Sequence, residues 1–573
     1  MKNPFHLRST VNALFGLILL GGTHLLAAEE FHVGPGQPID HIGGVPWTKL
    51  EPGDRVFIHY RPEPYREKWV IGSSGTADRP IVISGVRGAQ GQRPVIDGRD
   101  AVTPAGLDFW NEDRGVLSIG TASDQVPTHI VVEGLEIRSG HPDYRFTAAD
   151  GSRQSYRSNA ASIYVEKAAH LTIRDCELHD SGNGLFIGPY DGETRNILIE
   201  KNHIHGNGIV GRYYEHNAYT AAIHITYQFN RFGPLRPGAT GNNLKDRSAG
   251  LTVRYNWIEG GNRLLDMVDA EDSKVLVEHP AYHETYVYGN ILVERDGGNP
   301  QVLHYGGDSG TEGDYRKGTL YLYNNTLYST RAGKTTLLRL STNEESADVR
   351  NNIFHLTAAG DRFALLDESG RMTLHNNWIK AGWVPSHEGS GFVGTIARVG
   401  EIIEGEAPGF VDAAALDFRL TAGSPAIDRG GPLAPALPEE HRLTMEYRPP
   451  LDGQPRPVAG APDLGAFEKG ESAPEEGPGN ENGPGGSENG GGDSNNDSGN
   501  NGGDDGDGGS RDNESGGKDG TGNQGSGAEE PESGRSDGDQ PAGGNRSSGG
   551  ALGLPSLLSL LLLSLLALGR RRD

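Results

Sequence analysis

The chain has 573 residues, of which 86 are glycine and 34 proline, and a formal net charge of −25. Glycine and proline at about a fifth of the total mark a part that does not pack into a core, and the acidity excludes nucleic acid as a partner, because phosphate binding needs a basic surface. The single cysteine, Cys176, excludes an intrachain disulfide and the Cys-rich structural zinc sites.

In chain order, residues 1–28 carry Lys2 and Arg8, an apolar run from Val11 to Leu26, and the small pair Ala27-Ala28. That layout predicts a secretory signal peptide, with a short N-terminal membrane anchor as the alternative. A folded domain is expected over 29–470. Its first part, Phe31 to Gly98, contains Pro46-Trp47, Leu50-Glu51-Pro52-Gly53-Asp54 and Pro80-Ile81-Val82-Ile83-Ser84-Gly85. This stretch resembles the opening of right-handed β-helix polysaccharide lyases, whose first strands carry a Pro-Gly-Asp turn.

A pattern then recurs: apolar-x-apolar-x-x-Asn-x-apolar. It appears as Ile197-Leu198-Ile199-Glu200-Lys201-Asn202-His203-Ile204 and as Leu251-Thr252-Val253-Arg254-Tyr255-Asn256-Trp257-Ile258. It returns around Asn290, Asn325, Asn352 and Asn377, and Cys176 takes the Asn position of an earlier copy. Spacings run from about 25 to 35 residues, with a double step of 54 between Asn202 and Asn256. Alternating apolar residues predict two short strands per copy with one face buried. Sustained helical spacing is absent from this stretch. The expected fold class is therefore all-β, a right-handed parallel β-helix solenoid in which each coil packs on its neighbours. An ordinary β-sandwich, the rival, would not repeat one bend seven times. The asparagines are read as structural, bonding from coil to coil at equivalent bends.

The least repetitive stretch lies between Asn207 and Gly250 and is expected to form loops on one face, where solenoids bind ligands. It holds His216, Tyr219, His224, Tyr227, Arg231 and Arg236. Ile223 and Ile225 would point inward and His224 outward; Leu251 and Val253 inward and Arg254 outward. Tyr219, His224, Tyr227 and Arg254 would then wall a substrate groove, unless the stretch is only a long solvated loop. The domain over 29–470 is itself acidic, at −15 once −14 in the tail and +2 at each terminus are set aside. Local Lys and Arg, or a bound calcium, would have to hold the carboxylate of an acidic sugar.

β-Elimination next to a uronic acid needs a cation on the carboxylate, a base for the C5 proton and an acid for the leaving oxygen. Lys245, beside Arg247, is the candidate base, if burial or neighbouring cations lower its pKa. The stretch from Leu244 to Gly261 is similar to the base-bearing coil of the alginate lyase and chondroitinase B type of β-helix lyase. That resemblance implies Lys245 as base and Arg263, one coil later, as its catalytic partner; apart from it, His216 and Tyr219 in the loop are the alternative acid or base. The family's paired calcium-binding acids before the lysine are replaced here by Gly238, Ala239 and Thr240. Asp266 and Asp269, with Glu271 and Asp272, would be the substitute calcium site; a solvated acidic turn is the alternative.

Phe418 to Asp428 and Asp463 to Glu468 look like the closing segment of bacterial surface β-helix proteins. From 471 to 548 the chain is rich in Gly, Asn, Ser and Asp, and is expected to be a disordered acidic spacer. Residues 549–573 pass from Gly549-Gly550 through an apolar stretch to Arg570-Arg571-Arg572. This order resembles the GlyGly-type sorting signals of Gram-negative bacteria, which a rhomboid-like protease cuts; a plain transmembrane tail anchor is the alternative. The combined expectation is an exported, surface-attached enzyme that cleaves an anionic polysaccharide as a lyase. A glycoside hydrolase and a non-catalytic adhesin remain open alternatives.

Overall fold

The computed structural model describes residues 28–470 except Asp108 and Val458. The expectations for the signal segment up to residue 27, the spacer and the C-terminal apolar segment lie outside the described residues. Among the described residues no helix is long and apolar enough to cross a membrane.

Three long parallel sheets run through the described residues. Sheet 1 has 10 strands, from Trp69–Ile71 to Phe363–Leu366; sheet 2 has 13, from Glu30–Val33 to Thr395–Arg398; sheet 3 has 11, from Val95–Asp97 to Ile402–Gly405. The chain visits them in turn. Leu244–Asp246 lies in sheet 1, Ala249–Arg254 in sheet 2 and Trp257–Glu259 in sheet 3; the next coil is Leu265–Met267, Glu284–Tyr288 and Ile291–Glu294. Each of these strands pairs in parallel with its counterpart one coil on. Inward residues such as Leu244, Leu251, Ile258, Leu265, Val287 and Leu292 belong to one continuous core.

Two expectations are corrected here. Each coil has three strands, not two. The unforeseen ones form sheet 1, where strands as short as three residues alternate an apolar inward residue with a large or charged outward one, as in Leu265-Asp266-Met267. The region 207–250 is also not one insertion. It contains a complete coil, Ala218–Thr220, Ile223–Gln228 and Arg231–Phe232, so that only 208–217 and 233–243 loop out, both between sheet 3 and sheet 1. Asn230 supplies the rung missing from the double step. It was masked because Tyr227, Phe229 and Phe232 stand around it where other copies carry aliphatic residues. Tyr227, expected at the substrate, is fully buried in the core, and its hydroxyl lies 2.7 Å from Thr220 Oγ1.

The bend between sheets 2 and 3 is a two-residue corner. Its first residue takes a left-handed conformation at Asp175, Lys201, Phe229, Tyr255, Gly289, Asn324, Asn351 and Asn376. Such a conformation costs a residue with a Cβ roughly 1 kcal/mol. The second residue repays it with hydrogen bonds. Asn256 Oδ1 accepts from the backbone N–H (3.0 Å) and the amide (2.9 Å) of Asn230, while Asn256 donates its own N–H and amide to Asn290 Oδ1 and its amide to Tyr227 O. The chain of bonds runs unbroken from Asn202 through Asn230, Asn256, Asn290, Asn325 and Asn352 to Asn377. Cys176 ends it, its N–H donated to Asn202 Oδ1 and its thiol buried.

The C-terminal part is also corrected. It does not close an end of the solenoid. It folds back along the flanks, where hairpins Phe410–Asp412/Asp417–Leu420 and Met445–Arg448/Asp452–Pro455 form. Phe418, Tyr447 and Ala466 pack on Trp257, Ile291, Val293 and Tyr328 of sheet 3. Leu433, Leu437, Leu443 and Met445 pack on Phe229, Tyr255, Tyr286, Tyr288 and Tyr323, at sheet 2 and its corner. Those outward faces are apolar and need a cover.

Replacing Asn256 with alanine strands the Asn230 N–H and the Tyr227 carbonyl in a dry interior. The expected loss is ~2–6 kcal/mol, at roughly 1–3 kcal/mol for each of the two unsatisfied buried groups. Denaturant unfolding of the variant checks this; a midpoint equal to wild type would contradict the structural role of the ladder.

Candidate active site

Sheet 1 turns one residue per coil outward in strict register. The row reads Tyr164, Phe186, Tyr219, Lys245, Asp266, His304 and Arg339, each the direct neighbour of the next. At its start the Arg114 guanidinium lies 4.7 Å from the ring centres of both Tyr164 and Phe186. From Tyr219 onward the row becomes an ionic cluster.

Lys245 Nζ lies 3.1 Å from Asp266 Oδ2 and bonds Asp308 as well. Asp266 is buried and saturated. It receives the Asn242 amide at 2.6 Å and His304 Nδ1 at 2.8 Å, with Arg263 Nη1 at 3.6 Å. His304 Nε2 lies 2.9 Å from the Ser341 hydroxyl, so Asp266, His304 and Ser341 form a hydrogen-bonded chain. Arg247 reaches from the turn after its strand. It donates to Tyr219 OH at 3.0 Å and holds two carboxylates on one nitrogen, with Nη2 2.8 Å from Glu271 and 3.0 Å from Asp308. The Asp308 N–H is fixed by Asp269 Oδ1 at 2.8 Å. Asn242 Oδ1, Arg263 Nε and Asp269 Oδ2 are buried without a hydrogen-bond partner among the described residues. Beside them is a recess lined by Phe186, Pro189, Tyr219, Arg247 and Asp272.

The environments push the ionisable groups apart. Burial alone would raise the Asp266 carboxyl, but Lys245 and His304 hold it well below the usual range. Asp308 is likewise lowered, burial being outweighed by Lys245 and Arg247. Glu271 and Asp272 go the other way, raised chiefly by burial against the opposing pull of Arg247. His304 is lowered by burial in spite of Asp266, and burial beside Lys245 brings His216 down to about 3. His216 is therefore a neutral ring, and its Nδ1 accepts the Asn242 N–H at 2.9 Å.

Of the residues expected from sequence, Lys245, Arg247, Arg263, His216, Tyr219, Asp266 and Asp269 are brought together. His224 and Arg254 are not. They project from sheet 2, His224 exposed beside His279 and Arg254 bonded to Gln228, Tyr288 and the Glu440 carbonyl. The premise of a lysine with a lowered pKa is corrected too. Burial pulls Lys245 down, but Asp266 and Asp308 outweigh it and the net shift is upward, so Lys245 is a charged ammonium. Asp266 and Asp269 do not fit calcium. The Asp266 oxygens are taken by Lys245, His304 and Asn242, and Asp269 faces Arg247. His304, Asp308 and Ser341 went unnoticed in the sequence. The signal for His304 was its position in Val302-Leu303-His304-Tyr305, where alternation turns it outward.

Behind this face lies a second ionic group, inside the coil. Asp246 points inward and accepts from Thr220 Oγ1 (2.7 Å), Ser248 N–H (2.8 Å) and Ser248 Oγ (2.9 Å), and pairs with the fully buried Arg316 at 3.4 Å. Arg316 also donates to Val268 O at 2.8 Å. This group fixes the turn Asp246-Arg247-Ser248 and so aims Arg247.

A family model described as a right handed beta helix region matches residues 152–304, a span that contains Lys245, Asp266 and His304. The fold is the right-handed parallel β-helix. No curated protein matches this sequence. Among solved structures, pectate lyase Pel9A is similar at 12% identity over 77% of this chain and 97% of its own, with a TM-score of 0.39. An alginate lyase from Paenibacillus sp. str. FPU-7 is similar at 13% over 62% and 94%, with 0.36. A GH136 lacto-N-biosidase from Eubacterium ramulus is similar at 12% over 65% and 68%, with 0.34.

Removing Arg316 takes its only cation from Asp246 among the described residues, in an interior where burial already raises the Asp246 pKa, and takes the donor from Val268 O. Arg316→Ala is expected to cost ~3–5 kcal/mol, the usual penalty for breaking one side of a buried pair. Lys245→Met on the outer face should cost less. Comparing unfolding midpoints of the two checks the order; equal losses would count against it.

Proposed function

We propose that the chain is a glycan-cleaving enzyme, and that it cleaves by hydrolysis on the outer face of sheet 1. The observation that carries this is the meeting of Glu271 and Asp308 on Arg247 Nη2, with their acidities moved in opposite directions. Groups split in this way take the roles of acid and base. Glu271, whose pKa burial raises, is the acid that gives its proton to the glycosidic oxygen. Asp308, kept ionised by Lys245 and Arg247, attacks the anomeric carbon as the bond to the leaving sugar breaks. Water, deprotonated by Glu271, then cleaves the glycosyl ester and returns Asp308. Two oxygens bonded to one nitrogen are too close for the roughly 6.5–9.5 Å gap of inverting enzymes, which favours retention. Tyr219, half-buried at the recess, offers a ring face to a sugar.

A lyase is the second reading, favoured by Lys245 and Arg263 on one face and by the neutral His304 held by Asp266. In that reading His304, not Lys245, would take the C5 proton. The sequences of 1–28 and 549–573 support export of the enzyme and its attachment to a cell surface, with 471–548 as the spacer.

Incubation of the purified protein with neutral glycans, pectate, alginate and glycosaminoglycans separates the readings. Hydrolysis predicts new reducing ends without the ultraviolet absorbance of an unsaturated sugar; its appearance would establish elimination instead. Asp308→Asn and Glu271→Gln are each expected to lower kcat by ~100-fold or more, as removal of an acid–base group does. Glu271→Gln should recover most of its first step on aryl glycosides, whose leaving group needs no proton.

The pH profile has a definite sign. Activity needs Asp308 ionised and is lost as pH falls through its lowered pKa; it needs Glu271 protonated and is lost as pH rises through its raised one. A bell in kcat/KM whose limbs bracket the ordinary carboxylate value of ~4 is expected. An activity that instead climbs steadily to alkaline pH would be inconsistent with this assignment.

A further inference from the structure

The outer face of sheet 3 carries a second cluster, remote in role from the ionic row of sheet 1. Strand Glu177–His179 and strand His203–Ile204 are paired so that Glu177 lies directly beside His203. Leu178 and Ile204 are fully buried, so Glu177, His179, His203 and His205 all turn outward. His205 Nε2 stands 3.1 Å from Glu177 Oε1, and His203 Nδ1 stands 3.8 Å from the same oxygen. The two imidazoles lie face to face with centroids 4.0 Å apart. One nitrogen from each histidine and one Glu177 oxygen all fall within 4.8 Å of one another.

We propose that Glu177, His203 and His205 form a binding site for a divalent transition metal, zinc by donor type. Two imidazoles and one carboxylate are a zinc ligand set, with metal–ligand distances of roughly 2.0–2.2 Å. The His-x-His spacing on a strand puts both rings on one side without bending the backbone, and side-chain rotation alone draws the three atoms together. The neighbours supply support. His179 stacks on His205 at 5.1 Å with rings nearly parallel, and its Nε2 lies 3.2 Å from Glu136, which Arg138 holds at 2.8 Å.

Three protein ligands leave coordination positions open. They face a cleft lined by His203, His205, Arg231 and Pro234 on one side and by Pro450 and Leu451 of the C-terminal segment on the other. Arg231, the register neighbour of His203, gives that cleft a cation beside the metal. The ligand class that fits both is a small anion, such as a carboxylate or phosphate group bound to metal and guanidinium together. This inference does not depend on the hydrolase reading.

The test uses the untagged full-length protein, stripped with chelator and titrated with zinc by equilibrium dialysis, and with cobalt(II) for its visible absorption. Wild type should take up one equivalent at the site, with a cobalt spectrum of low coordination number. The His203→Ala/His205→Ala double variant should bind at least ~100-fold more weakly, beyond the effect of losing only an outer partner. Glu177→Gln, which keeps size and shape, should weaken binding and change the cobalt spectrum, and covers the case in which the double variant misfolds. Absence of a stoichiometric site in wild type, or uptake by folded variants equal to wild type, would overturn the proposal. Binding to the acidic spacer alone would appear as that second outcome, because the variants leave the spacer intact.

Discussion

The interaction on which everything else depends is the in-register hydrogen bonding of each coil to the next. A parallel sheet has a side-chain period of two, so a slip of one residue would send Lys245 into the core and Leu244 out. The register is set at the corners. Each left-handed residue followed by a laddered asparagine fixes the phase at which the chain enters sheet 3. Because Asn256 is bonded on both sides, an error in one coil is felt by its neighbours. That is why a row of seven outward residues on sheet 1 can be held in line by strands as short as three residues.

The ionic row lies open on sheet 1 while the other two faces are covered near the same coils. The apolar exteriors of sheets 2 and 3 at Tyr255, Tyr288, Trp257 and Tyr328 are dry beneath the C-terminal segment. Sheet 1 in the same coils exposes groups that apolar packing could not cover. Its ionic row is backed from inside by the Asp246–Arg316 pair, which costs desolvation to bury and is worth that cost only if it fixes something. What it fixes is the turn carrying Arg247, whose reach to Tyr219, Glu271 and Asp308 holds three separate coils in one geometry.

Much of this was legible in the sequence. The asparagine bend gave the solenoid, and the placement of Lys245, Arg247, Arg263 and Asp266 in one cleft followed from adjacent coils. What was hidden was hidden for physical reasons. The strands of sheet 1 are too short for alternation to register, so the third side of each coil went unseen. The same gap put His224 and Arg254 with Lys245, although a corner separates sheet 2 from sheet 1. Tyr227 was misplaced because the interior is polar at that coil: Thr220 and Asp246 give its hydroxyl a buried environment that an aliphatic core would not. Asp308 follows Gly306-Gly307 in a turn, and only the fold brings it to Lys245, 63 positions earlier.

The charge balance of the cleft also bears on which chemistry it suits. Lys245, Arg247 and Arg263 are each already paired with a resident acidic side chain: Lys245 with Asp266 and Asp308, Arg247 with Asp269, Glu271 and Asp308, and Arg263 with Asp266. A uronate entering to be eliminated would bring a further negative charge and would have to displace a resident carboxylate from its cation. Such a swap, in a site largely removed from water, gains little, because the carboxylate left behind loses a partner of equal worth. A neutral sugar meets no such penalty. It takes no cation from a resident partner and leaves the ion pairs intact. In the proposed hydrolysis, positive charge developing at the anomeric carbon would meet carboxylates already in place, with no reorganisation needed at the moment of reaction.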